Sequence, residues 1–177
     1  IRTNSTLQNF SLRPEDGVVR IALFGDSFTH GDGVNFSATW GYHLEQYLKS
    51  VGINSEVLNF GVGGYGMDQA YLRYLKEGIQ YHPSIVIFGF SIENMLRNMN
   101  LIRLFYKQGG SGMPFSKPRF ILENDELTLI NSPTLSVDRI SAVLDDPTSW
   151  GLIEYEDFFL ERHFSKRIWQ KSRFLSV

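Results

Sequence analysis

The chain of 177 residues contains no cysteine. That excludes disulfides, thiolate-held zinc, iron–sulfur clusters and a cysteine nucleophile, and it leaves the compartment open, because cysteine-free proteins occur on both sides of membranes. An excess of one charge is also missing. With 17 Lys and Arg against 19 Asp and Glu, the formal charge is -2, so no global basic field exists to draw nucleic acid or anionic lipid, and nucleic acid is not expected as a partner. No apolar run approaches the roughly 18 residues of a membrane span. Ile1 to Phe10 show neither an initiator Met nor a signal-peptide pattern, so the N-terminus reads as cut; a signal or anchor lost there would place the domain outside the cytoplasm. Proline is scarce, six in all, and Pro114, Pro118, Pro133 and Pro147 fall in one stretch.

What is present suffices for one globular domain: 42% hydrophobic and 20% charged residues. Residues 1–17 are polar and end in the turn Arg13-Pro14-Glu15-Asp16-Gly17, an irregular lead-in. Val18 to Phe24 is then a β-branched, nearly all-apolar run, as expected of a parallel strand buried on both faces. Trp40, Leu44, Tyr47, Leu48 and Val51 recur at helical spacing and predict one helix face. Glu56 to Phe60 reads as a second strand, followed by the cluster Gly61-Val62-Gly63-Gly64-Tyr65-Gly66 and a helix with Met67, Tyr71, Tyr74 and Leu75 on one side. Ser84 to Phe90 reads as a third strand, and Ile92 to about Lys107 again has helical spacing. Three β-loop-α units in series predict a doubly wound α/β fold with a parallel sheet, in which ligands bind beyond the carboxyl ends of the strands.

Residues 108–149 differ in kind. They hold the four clustered prolines, the stretch Gly109-Gly110-Ser111-Gly112 and a predicted hairpin, Phe120–Leu122 against Leu127–Ile130 around Glu123-Asn124-Asp125-Glu126. This segment reads as an insertion into a domain that begins at residue 18 and runs to 107 before it. Residues 150–177 return to helical, aromatic-rich character.

The strongest local feature lies where the first strand ends: Phe24-Gly25-Asp26-Ser27-Phe28-Thr29-His30-Gly31. A serine on the turn leaving a buried strand presents its hydroxyl at the carboxyl edge of the sheet, and flanking glycines let a substrate approach the backbone. Taken alone, Gly25-Asp26-Ser27 also reads as an ordinary tight turn. The α/β-hydrolase elbow requires Gly-x-Ser-x-Gly, and Thr29 occupies its fifth position, so that fold is not supported. The glycine cluster satisfies Gly-x-Gly-x-x-Gly through Gly61, Gly63 and Gly66, which opens a dinucleotide-binding alternative. Its context disagrees, since that loop should follow the first strand and meet an acidic residue ~20 positions later.

The run Leu23 to Gly31 resembles block I of the SGNH/GDSL hydrolases, esterases and acylhydrolases on a flavodoxin-like sheet. The resemblance implies that Ser27 is the nucleophile and that its amide serves the oxyanion hole. Asn59-Phe60-Gly61-Val62-Gly63-Gly64 is similar to the second block, with Gly64 as the implied N–H donor. Phe88-Gly89-Phe90-Ser91-Ile92-Glu93-Asn94 departs from the usual Gly-x-Asn-Asp of the third block; Asn94 is the implied side-chain donor and Asn98 the second candidate. Acyl transfer needs donors aimed where negative charge develops, and three successive strand ends supply Ser27, Gly64 and Asn94. The implied activity is serine ester hydrolysis on a small-molecule, glycan or lipid ester, with no metal or organic cofactor.

A serine nucleophile also needs a base and an orienting carboxylate. The family supplies both from an Asp-x-x-His block, and no Asp or Glu stands three residues before His30, His43, His82 or His163. A flavodoxin-like sheet has five strands, of which three are found here. The expectation is therefore truncation, with the remaining strands and the Asp-x-x-His block beyond Val177. The alternative is a degenerate, non-catalytic module that binds a glycan or acyl ligand.

Overall fold

A computed structural model of the chain describes residues 1–3, 9–106 and 115–159. The chain divides into two compact units, Ile1–Asn98 and Met99–Val177. In the first, β1 (Val19–Gly25), β2 (Ser55–Asn59) and β3 (Ile85–Gly89) form a parallel sheet in the order β2-β1-β3. That is the expected three-strand α/β arrangement, and it matches the first three positions of the flavodoxin-like order. The registers align Leu23 with Asn59 and Gly25 with Gly89, so all three strands stop at one edge.

Alternation along β1 explains its continuous apolar run. Ile21 and Leu23 pack with Val57, Leu44, Leu48 and Ile87 on one face, whereas Ala22 and Phe24 pack with Leu58, Phe60, Ala70 and Tyr74 on the other. Burying each such Leu or Phe contributes roughly 1.5–3 kcal/mol. Phe24 stacks on Phe60 with ring centroids 4.8 Å apart and meets Tyr74 edge-on at 5.6 Å. A helix covers each face, and a short helix α1 (Ser27–His30) follows β1 directly.

The helix α2 (Trp40–Ser50) starts at Thr39, whose Oγ1 accepts the Tyr42 amide at 3.3 Å. It is rotated from the predicted face: Leu44 and Leu48 pack on the sheet, Gly41 lies against Leu23, and Tyr47 and Val51 are exposed. The helix α3 (Met67–Lys76) likewise turns Ala70 and Tyr74 inward and leaves Tyr71 and Leu75 exposed. Predicted as one helix to about Lys107, the segment after β3 breaks: α4 (Ile92–Asn98) ends early and α5 (Arg103–Tyr106) is a separate turn.

The cause of the break lies in the second unit. The amides of Leu101 and Ile102 donate to Glu156 Oε2, at 2.6 and 2.9 Å, in place of carbonyls one turn back. The same carboxylate accepts from the Asn100 side chain and the Phe158 amide. Burial pushes the Glu156 carboxyl up from its ordinary range, and these donors only partly offset the effect. The predicted hairpin is present as β4 (Arg119–Glu123) and β5 (Glu126–Ile130), antiparallel, with Asn124 and Asp125 at φ 53° and 63° in the two-residue turn. A further helix, α6 (Val137–Asp145), buries Ile140 and Val143 with Leu101, Ile102, Phe105 and Trp150. Of the predicted helical segment 150–177, Ile153–Tyr155 forms a single 3-10 turn. Residues 160–177, with His163, lie outside the described residues.

Candidate active site

Asp26, Ser27, Gly64 and Asn94 all follow strand ends at the common carboxyl edge of the sheet: Asp26 and Ser27 at the start of α1, Gly64 in the loop after β2 and Asn94 in α4 after β3. Asp26 caps α1: its Oδ1 accepts the Phe28 amide at 2.9 Å. Ser27 is therefore the first helical residue, partly exposed, and its carbonyl accepts the amides of Gly31 and Asp32 at 2.7 and 2.9 Å. A capped turn of this kind fixes the direction in which the serine leaves the strand.

Asn59 joins the second strand end to that turn. Buried, it donates from Nδ2 to the Thr29 carbonyl at 2.7 Å and accepts the Gly61 amide at Oδ1, 2.9 Å. The Gly61 carbonyl faces His30 Nδ1 at 2.9 Å. A carbonyl can only accept, so Nδ1 carries a proton and donates to it, and the second ring nitrogen is Nε2. Asp32 lies 3.7 Å from that Nε2. The Val62 amide reaches back to the Gly25 carbonyl at 3.0 Å, and Gly64 sits in the left-handed region at φ +83°.

The third strand end is the most heavily bonded. Asn94 is fully buried; its Oδ1 accepts the Ser91 amide, and its Nδ2 donates to Asp26 Oδ2 at 3.2 Å and to the Tyr65 carbonyl at 3.1 Å. Both N–H groups of the predicted oxyanion donor are thus engaged. Asn98 is placed differently, with its Oδ1 accepting the Met67 amide at 2.8 Å to cap α3.

Arg97, which the sequence reading did not single out, is buried beside Asn94. Its Nη1 donates to Asp26 Oδ2 at 2.8 Å and to the Tyr65 carbonyl at 3.1 Å, and its Nη2 pairs with Glu93 at 2.5 Å. Its only sequence signal was the four-residue spacing from Glu93, which looks the same in an exposed helical ion pair. Asp26 also accepts the Ser91 hydroxyl at 3.0 Å. Burial alone would push the Asp26 carboxyl up. The Phe28 amide, the Ser91 hydroxyl, the Arg97 guanidinium and the Asn94 amide outweigh it and hold the carboxyl below its ordinary value.

Beside the serine turn lies a cavity of about 350 Å³, lined by Phe28, Thr29, Trp40 and Phe90 with Asp26, Gly89 and Ser91 at its polar side. The other described histidines stand elsewhere. His43 is exposed on α2, and His82 follows a 3-10 turn at the amino end of β3, the opposite edge of the sheet. Among the described residues, no three His, Asp or Glu side chains come together as a metal site requires, and no helix is long and apolar enough to cross a membrane.

The family model for GDSL-like lipase/acylhydrolase matches residues 21–119. Among solved structures, TesA is similar at 22% identity, covering 44% of this chain and 43% of that one, with a TM-score of 0.41. AlinE4, an SGNH-hydrolase family esterase, is similar at 31% identity, covering 44% of this chain and 42% of that one, with a TM-score of 0.39. The chain matches less than half the length of either structure. No curated protein sequence matches it significantly.

Proposed function

The chain belongs to the GDSL-like lipase/acylhydrolase family, and from that premise we propose that it supplies the nucleophile and the oxyanion donors of a serine ester hydrolase. The observation that carries this reading is the capped turn: a partly exposed Ser27 at the head of a helix whose cap, Asp26, is buried and bonded to the third strand end. Ser27 attacks the ester carbonyl and gives its proton to a general base. The amides of Ser27 and Gly64 and the side chain of Asn94 take the oxyanion; its collapse breaks the ester C–O bond and the leaving alcohol takes the proton from the base, after which water hydrolyses the acyl-serine and restores the Ser27 hydroxyl. One such donor is typically worth ~3 kcal/mol of barrier. Asn94 joins them only by giving up a bond to Asp26 or to the Tyr65 carbonyl.

None of the described histidines is proposed as the base. His30 Nδ1 holds the Gly61 carbonyl and its Nε2 faces Asp32 at 3.7 Å, His43 is exposed on α2, and His82 stands at the far edge. The family resemblance gives that role to an Asp-x-x-His block.

The reading is tested in the full-length protein with a fluorophosphonate probe and a short-chain p-nitrophenyl ester. Wild type should be labelled on Ser27. Ser27→Ala should lose labelling and at least ~1,000-fold in kcat. Persistent labelling of the variant would place the nucleophile elsewhere. A wild-type protein that binds ester without labelling or turnover would favour a non-catalytic binding module, which the engaged Asn94 amide also suits.

A further inference from the structure

Asn94 and Arg97 donate to the same two oxygens. Asn94 Nδ2 reaches Asp26 Oδ2 at 3.2 Å and the Tyr65 carbonyl at 3.1 Å; Arg97 Nη1 reaches the same pair at 2.8 and 3.1 Å. Two buried donors on successive turns of α4 thus satisfy one pair of acceptors, and that pair ties the Ser27 turn to the loop that carries Gly64. For a static scaffold this is redundant. The redundancy matters if one of the donors has to leave.

A buried acceptor stripped of its partner is destabilising, and more so when it is charged. Without Arg97, turning an Asn94 N–H toward an oxyanion would either take the side-chain donor from the Tyr65 carbonyl or leave Asp26 with only the Ser91 hydroxyl and the Phe28 amide. It would also leave the Asp26 charge uncompensated, one residue from a developing negative charge. With Arg97 in place, Asp26 keeps the guanidinium, the Ser91 hydroxyl and the Phe28 amide, and Tyr65 keeps the guanidinium. Arg97 itself is held from the other side by Glu93 and is 6% exposed. Its position therefore does not depend on Asn94.

We propose that Arg97 is a positioning residue that frees the Asn94 amide for the oxyanion, holding Asp26 and the Tyr65 carbonyl in its place. The proposal rests on the ester-hydrolase reading. It adds to that reading a second residue on α4. Asn94 acts on substrate, whereas Arg97 acts only through Asn94 and the two oxygens they share.

The test is a double-mutant cycle in the full-length protein, read as kcat and KM on a p-nitrophenyl ester and as fluorophosphonate labelling rate. Asn94→Ala should lower kcat by ~100-fold or more, as for loss of one oxyanion donor. Arg97→Gln should lower kcat by roughly 100-fold with KM changed less than about twofold, because misplacement affects the transition state more than substrate binding. Arg97→Lys, which keeps the charge but not the fork, should recover part of the loss. The deciding measurement is Arg97→Gln in the Asn94→Ala background, where a further loss of under about threefold is expected. Equal losses in both backgrounds, or wild-type kcat in Arg97→Gln, would overturn the proposal. If Arg97→Gln does not fold, Arg97→Lys carries the same cycle. Failure of the parent reading has a different signature, namely labelling that survives Ser27→Ala.

Discussion

Gly61 is the point where the second strand end touches the serine turn, and replacing it by Ala should damage both stability and the placement of Ser27, the proposed nucleophile. A Cβ there would stand 2.3 Å from the His30 amide nitrogen, 2.8 Å from the Thr29 carbonyl carbon and 2.9 Å from His30 Cα. All three are backbone atoms of α1, so no side chain can swing aside. Restoring ordinary contact at ~3.5 Å requires the two segments to part by about 1 Å. The Asn59–Thr29 bond at 2.7 Å and the His30–Gly61 bond at 2.9 Å span that gap and would be stretched or lost. Each is worth about 1 kcal/mol, and overpacking adds ~1–3 kcal/mol, for a total of roughly 3–5 kcal/mol. At ~2–4 °C per kcal/mol for a chain of this size, Gly61→Ala should melt roughly 10 °C lower by circular dichroism. Fluorophosphonate labelling, measured below the melt, should slow by ~100-fold for a nucleophile displaced by about 1 Å. Gly63→Ala is the control: its Cβ would meet Asp32 Oδ2 at 2.7 Å, but that carboxylate is half-exposed and free to rotate. It should cost less than ~0.5 kcal/mol. Gly61→Ala melting within about 2 °C of wild type would refute the steric argument, and so would an equal loss in Gly63→Ala.

Two further outcomes follow from buried charges away from the serine. Arg20 is fully buried at the amino edge of the sheet. It donates to Glu56 at 2.7 and 2.9 Å and to the carbonyls of Ser11, Leu12 and Tyr81 at 2.8 to 3.0 Å. Arg20→Met should cost ~3 kcal/mol by urea unfolding yet leave the labelling rate of the folded protein unchanged; slowed labelling would show that the two edges are coupled. For Glu156, burial raises the folded carboxyl above its ordinary 4.5, so the native state holds its proton to higher pH than the unfolded chain. Stability should therefore fall as pH rises from 4.5 through the raised value, and Glu156→Gln should remove that slope from a plot of Tm against pH. A slope that persists in the variant would assign it to another group.

The three strands were legible because burial on both faces writes itself locally: Ile21 to Phe24 must all be apolar, whichever way each points. The hairpin was legible for a similar reason, since Asn124 and Asp125 tolerate the positive φ that its turn demands. Helix faces were read less well. Periodicity gives the width of an apolar stripe but not which half of it meets the sheet, and Tyr47, Val51 and Leu75 lie on the exposed half. The end of α4 could not be read at all. The acceptor that draws the Leu101 amide away from a helix is Glu156, 55 residues further on.

The same distinction runs through the candidate site. Each of Ser27, Gly64 and Asn94 is marked by its place at a strand end, which is local information. What Asn94 does there depends on Asp26, 68 residues away, and on Tyr65, 29 away. Spacing could suggest a donor but could not show that its two N–H groups already have acceptors. Arg97 was hidden for the opposite reason. Its four-residue spacing from Glu93 gave it a complete local explanation as a helical ion pair, which made a search for distant partners look unnecessary. Glu93 is in fact the exposed end of the arrangement, and the buried end is Asp26 at 2.8 Å. A charged residue on a short helix directly after a strand is therefore worth checking against the loop of the neighbouring strand, even when a partner one turn away already accounts for it.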